Sequence, residues 1–256
     1  MTPQKIHTLT IGAGKGKSGA LEAFQTLDFY GGQTYAIVGP TGAGKSQLLE
    51  DISSLAQGDS VSMRHIHING KPPTDGHYQL LRSHLIAHLA QSMRFVLDMT
   101  IEAFLHMRGP NVQSTLAAAN HLAGEPMSPS DRLTALSGGQ TRALMVADVA
   151  FNSPASVILI DELENAGIDR IAALELLTGQ DKLVFLVTHD PLLALHGANR
   201  IIVKNGAIHG ILQRTEKELD LYGELLVASQ QQQHLKEQLR GGYHTCIESP
   251  GSTSAY

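Results

Sequence analysis

Cysteine is nearly absent: Cys246 stands alone. No intrachain disulfide can form, which excludes a disulfide-stapled scaffold and fits a reducing compartment. Long apolar runs are missing too. None approaches the ~18 residues that a membrane-spanning helix needs, and the opening MTPQKIHTLT lacks the apolar core of a secretory signal. Positive charge is not in excess, with 19 Lys and Arg against 24 Asp and Glu and a net charge of −5. Such a chain has no global electrostatic reason to coat nucleic acid, and no nucleic-acid partner is expected. There is no internal repeat, and Gln230 to Gln233 is too short for a low-complexity domain. What remains is 256 residues that are 42% hydrophobic and 17% charged, the composition of a folded domain with a sizeable core.

Up to about Gln91, short apolar runs alternate with turns and read largely as strands. Ile6 to Ile11 is the first, and a flexible GAGKGKSG stretch follows. Thr34 to Gly39 reads as a buried strand because Tyr35, Ala36, Ile37 and Val38 are continuously apolar. Beyond it, Leu48, Leu49, Ile52 and Leu55 recur at helical spacing, with Gly58 as the expected stop. Residues 92–152 are rich in Ala, Leu and Met and read as a helical lobe inserted into a sheet-based core. Val157 to Ile160 and Leu183 to Val187 read as further buried strands, ending at Asp161-Glu162 and Thr188-His189-Asp190. Polar groups at the carboxyl ends of parallel strands are where α/β folds bind ligands. Asn205-Gly206 predicts a hairpin. Thr215 to Arg240 predicts a helix closed by Gly241-Gly242, and a polar, mobile tail is expected over 243–256.

The strongest motif is Gly39-Pro40-Thr41-Gly42-Ala43-Gly44-Lys45-Ser46, a complete phosphate-binding loop pattern between a strand and a helix. Glycines let successive N–H groups curl around a polyphosphate, and the following helix points its positive end at the anion. Lys45 would reach the β- and γ-phosphates and the Ser46 hydroxyl would hold Mg²⁺. Downstream, Asp161 is placed for the Mg²⁺ shell and Glu162 for the general-base role. Leu136-Ser137-Gly138-Gly139-Gln140 offers a hydroxyl and bare N–H groups just before a helix expected near Thr141, a second anion-binding helix start. Upstream, Gly12 to Ser18 imitates the phosphate loop, but Ile11 stands where the pattern needs Gly, so this segment reads as a flexible basic turn. Five histidines fall between His65 and His88 without metal-ligand spacing, and no metal site is expected there.

These motifs, in this order, resemble the ATP-binding cassette (ABC) ATPases, from about Ile6 to Ile211. The resemblance implies a single α/β domain over 1–256: a P-loop NTPase core with an N-terminal antiparallel β region and an inserted helical lobe. It implies that Gln91 senses Mg²⁺ and the γ-phosphate, that His189 contacts the γ-phosphate, and that Asp169 lies at a subunit boundary. It implies a homodimer, or a pair with a related cassette, closing head to tail so that the phosphate loop of one copy faces Ser137 to Gly139 of the other. Three positions depart from the family pattern. Leu163-Glu164 replaces Pro-Thr or Pro-Ser, no aromatic occurs near Thr10 or Ile11 to stack on adenine, and Gln47 replaces a second hydroxyl.

Expected ligands are ATP and Mg²⁺. The favoured reading is the ATP-hydrolysing subunit of an ABC transporter with separate transmembrane subunits, cytoplasmic and peripheral on the inner face of the membrane. The segment from Ser92 to Leu105 would be its docking surface. The alternatives are a soluble ATPase that assembles or remodels a protein or metallocofactor, and a non-catalytic nucleotide binder. Complete catalytic residues argue against the last.

Overall fold

The computed structural model describes residues 5–80, 85–90, 94–163 and 167–241. Gln91, Glu164 and the 243–256 tail lie outside them. Residues up to Arg214 form one compact unit, and those from Thr215 onward form another.

The first unit carries two sheets. In the smaller, β1 (Thr8–Gly12) is the central strand between β2 (Thr26–Tyr30) and β4 (His65–Ile68), both antiparallel to it. The larger contains β3 (Thr34–Val38), β5 (Ile86–Leu89), β6 (Val157–Asp161), β7 (Leu183–Val187), β8 (Asn199–Lys204) and β9 (Ala207–Gln213). Its order is β5-β6-β7-β3-β8-β9, parallel except for the β8–β9 hairpin. That hairpin turns at Asn205-Gly206, both with positive φ.

Helices cover the larger sheet because its strands alternate two buried faces. Val157, Leu159, Leu183, Phe185 and Val187 enter one core, with α1 (Lys45–Ser54) and an aromatic cluster of Phe29, Tyr35 and Phe185. Ile158, Ile160, Val184 and Leu186 enter the other, with α5 (Gly138–Phe151) and α6 (Arg170–Gly179). A third core joins α3 (Ile101–Arg108), α4 (Val112–Ala123) and Leu144 and Ala147 of α5. Thus α5 is buried on two sides, against the sheet and against α3 and α4. Residues with period two in the strands and period 3.6 in the helix make this layering possible.

Several elements differ from the sequence reading, β1 among them, which runs from Thr8 to Gly12 rather than from Ile6 to Ile11. α1 begins at Lys45 and ends at Ser54, not Gly58, because Leu55 takes a left-handed conformation (φ 53°) and its N–H closes onto the carbonyls of Asp51 and Ile52. α5 begins at Gly138 rather than near Thr141: Ser137 and Gln140 form a reciprocal capping box that pulls the glycines into the first turn. α2 (Asp75–Leu80) is a short helix in a stretch read as strands and turns. Between β7 and β8 lies α7 (Pro191–His196). The second unit contains α8 (Glu216–Arg240), started by a reciprocal Thr215–Glu218 cap.

Candidate functional site

Parallel register brings the expected groups to one edge. Ile37 of β3 pairs with Val187 of β7, and Val187 pairs with Asp161 of β6. The chain leaves these three neighbouring strands as Gly39, as Thr188-His189 and as Glu162, within one or two residues of that common row. The loop after β3 needs its glycines for space and for handedness. A Cβ on Gly39 would lie 2.1 Å from the Val203 carbonyl oxygen, and Gly42 and Gly44 have φ of 74° and 102°. Lys45 is buried and folds back, with Nζ donating to the carbonyls of Gly39 at 2.9 Å and Pro40 at 3.2 Å. Ser46 is exposed in the first turn of α1.

This geometry fits a polyphosphate with Mg²⁺. The α1 start leaves its first amides without helical partners, no side chain caps it, and an ammonium already lies against the loop. The Ser46 hydroxyl and the half-buried Asp161 carboxylate are oxygen donors of the kind Mg²⁺ takes.

Glu162 is half-buried and holds φ at 51°, a left-handed conformation that costs a non-glycine residue about 1–3 kcal/mol and collects at working sites. Its N–H donates to the Val187 carbonyl at 3.1 Å, tying the β6 exit to β7. His189 is exposed in the turn from β7 to α7. That turn is fixed by the Asp190 N–H on Thr188 Oγ1 (3.0 Å), by Asp190 capping α7, and by an Arg170–Asp190 ion pair. Asp169 is exposed and caps α6 through Ala172 N–H at 3.0 Å. Ser137 is exposed, and the first turn of α5 presents Gly138 and Gly139. Gln140 is occupied in the cap, its Oε1 accepting from Ser137 N–H at 3.0 Å.

Several contributors were not legible from spacing. Lys17, read as part of a flexible basic turn, donates from Nζ to the Gly42 carbonyl at 2.7 Å, so the upstream loop rests on the phosphate loop. Its N–H donates to Asn205 O, and Gly206 N–H donates to Ala43 O, each at 2.7 Å. The β8–β9 turn therefore touches both loops. Behind it lies a fully buried ionic cluster. Arg64 pairs with Glu22 at 2.6 Å and with Asp51 at 2.8 Å, all three side chains 0% exposed, and donates to Gly206 O at 2.8 Å. Burial works against the Arg64 charge, but the hydrogen bonds and charges of Glu22 and Asp51 outweigh it and raise its pKa. Asp51 also accepts from Gln47 and Ser62, and Glu22 from Gly14 and Ile208 N–H. Gln47, in place of the second hydroxyl, thus braces α1. The one advance signal was Lys17 in its GKS tripeptide; an arginine, a glutamate and an aspartate far apart in sequence gave none.

Arg142, on α5, is buried. It donates to Ala90 O at 2.5 Å, and more distantly to Asp161 O at 3.4 Å and Glu162 O at 3.5 Å. Burial lowers its pKa below the usual arginine value, opposed by the Asp161 carboxylate.

Comparison with known proteins agrees. The family described as ABC transporter matches residues 12–165. The "Uncharacterized ABC transporter ATP-binding protein MJ0121" of Methanocaldococcus jannaschii is 41% identical over 246 residues, 93% of this chain and 94% of that one. The macrolide export ATP-binding/permease protein MacB of Shigella boydii is 30% identical over 205 residues, 72% of this chain but only 30% of its own length. Among solved structures, CbiO1 of Clostridium perfringens, part of the ABC transporter complex CbiONQ, superimposes with a TM-score of 0.60 at 19% identity, covering 91% of this chain and 100% of that one. The ATP-binding cassette MJ0796, a dimer in a post-hydrolysis state bound to ADP and Pi, gives 0.57 at 21% identity, covering 80% and 98%. A phosphate loop, a strained acidic strand exit and a capped Ser-Gly-Gly turn on this fold, with a relative alike over nearly its whole length, make the conclusion plain: the chain belongs to the ABC transporter family, among its ATP-binding, ATP-hydrolysing chains.

Proposed function

We propose that this chain is the motor subunit of a membrane transporter, hydrolysing ATP between two copies and passing the resulting motion to separate membrane-spanning subunits. The observation that carries the reading is the common row of strand ends that sets Gly39 to Ser46, Asp161-Glu162 and His189 on one edge. Lys45 leaves its two carbonyls for the β- and γ-phosphates. Glu162 accepts a proton from the attacking water, and His189 orients the γ-phosphate. Ser46, Asp161 and Gln91 would hold Mg²⁺, which would supply neutralisation of the phosphate charge. Ser137, Gly138 and Gly139 of the second copy close over the nucleotide with a helix start. Catalysis on this reading is positioning and charge stabilisation.

The docking face supports a membrane partner. In the 94–100 stretch, Val96 is 89% exposed and Leu97 43%, beside α3 with Met107 at 62%. No described helix is long and apolar enough to cross a membrane; on this reading the span belongs to separate subunits and this chain works at the cytoplasmic face.

The test uses the purified chain with Mg²⁺ and ATP. Phosphate release should be measurable, and Glu162→Gln should lower it by about 100-fold or more while trapping an ATP-bound dimer in light scattering. Unchanged turnover refutes the base assignment. Affinity purification from detergent-solubilised membranes should recover a polytopic subunit. Recovery with soluble proteins alone rejects transport and favours an assembly ATPase.

A further inference from the structure

Arg142 has no part in the mechanism above, yet it lies where three parts of the site meet. It follows the Ser137–Gln140 turn on the same helix, about 7.5 Å along the axis from Ser137. Its guanidinium spans the carboxyl ends of two neighbouring parallel strands. One nitrogen donates at 2.5 Å to Ala90 O, the carbonyl that precedes Gln91. The other faces the carbonyls of Asp161 and Glu162 at 3.4 and 3.5 Å. The residue is 5% exposed, on a helix whose neighbours Ala143, Leu144, Val146 and Ala147 are fully buried and apolar. A cation in such a place is costly, and an apolar side chain of similar volume would fill the space at less cost. One of the carbonyls it approaches belongs to Glu162, whose φ of 51° is strained.

We propose that Arg142 is a positioning residue that couples the Ser-Gly-Gly turn of a protomer to the hydrolytic carboxylate of that same protomer. This rests on the preceding reading, in which Ser137 to Gly139 meet the second copy's nucleotide. α5 is held by its capping box and buried on two sides, so displacement of its first turn moves the helix as a body. Arg142 carries that displacement to the Ala90 and Glu162 carbonyls together. The contact to Ala90 is short and those to β6 are long, so closure of the dimer has room to tighten the latter and fix the direction of Glu162. Each site then becomes competent when the other is engaged, and turnover depends cooperatively on ATP.

The full-length chain tests this with Arg142→Met, Arg142→Lys and wild type, each checked for folding by its urea midpoint. Arg142→Met should lose about 10- to 100-fold in kcat, the scale of a misplaced catalytic group, with KM nearly unchanged and the Hill coefficient for ATP falling towards 1. Arg142→Lys should recover part of kcat, since it keeps the charge and loses the fork. Wild-type kcat and cooperativity in folded Arg142→Met overturn the coupling alone. No hydrolysis by wild type overturns the preceding reading as well. If Arg142→Met does not fold, hydrogen exchange on Glu162→Gln decides: ATP should slow exchange at residues 160–163 together with 137–145. Slowing at 137–145 alone overturns the proposal.

Discussion

The phosphate loop and the β6 exit sit on one sheet edge and are built in opposite ways. Residues 39–46 are contiguous, and their shape follows from local chemistry: glycines with positive φ, one steric close approach, and a helix start with no side-chain cap. The β6 exit takes its shape from distance. Glu162 is held by Val187 O through its N–H and approached by Arg142 through its carbonyl, partners 25 and 20 residues away. A local device can be read and transplanted as a motif; an assembled one exists only once the fold has formed. The ionic cluster behind the phosphate loop is also assembled, from Glu22, Asp51 and Arg64.

The two kinds of construction should fail differently. Arg64→Met leaves two buried carboxylates without their cation and should cost about 3–5 kcal/mol of stability, read from urea unfolding. A smaller loss with intact ATP binding would mean that the cluster is not what braces the loop. Lys45→Ala should leave the urea midpoint almost unmoved yet lose about 100- to 1,000-fold in turnover, roughly 2.7–4 kcal/mol of transition-state stabilisation. Gly39→Ala sharpens the local side. Its Cβ meets Val203 O at 2.1 Å, so overpacking should cost about 1–3 kcal/mol, with a matching loss of nucleotide affinity in equilibrium titration. Lys17→Met should be the mildest. Its ammonium is exposed on Gly42 O, and a surface charge contact of about 0.2–1 kcal/mol predicts at most about a five-fold weaker ATP affinity, fading with added salt. A loss as large as that from Lys45→Ala would make Lys17 a primary phosphate ligand.

Legibility followed the same division. The buried strands 157–160 and 183–187 and the Asn205-Gly206 hairpin were visible because short continuous apolar runs and turn chemistry are local signals. The start of α5 was misjudged by three residues because two glycines look like a helix breaker until Ser137 and Gln140 are seen capping each other. The 12–18 loop looked flexible because its order comes from outside. Gly14 N–H is held by Glu22, Lys15 N–H by Ser62 O and Lys17 N–H by Asn205 O. On α5, Arg142 and Asp148 interrupt an apolar stretch, and their partners lie too far along the chain to be read from spacing: Arg142 reaches strand-end carbonyls and Asp148 pairs with Arg108 at 2.8 Å.

By itself, the sequence determined the chemistry on offer: a glycine loop ending in Lys45-Ser46, acids after an apolar strand, and a serine-led glycine turn. Those are properties of a few adjacent residues, set by φ preferences and side-chain type. Only the tertiary structure decided which strand ends share a row, that Glu162 turns left-handed, and that one buried arginine reaches from the Ser-Gly-Gly helix to the carbonyl of that acid. The reason is that register and burial depend on contacts between residues far apart in the chain, and such contacts leave no periodic trace in the order of the residues that make them.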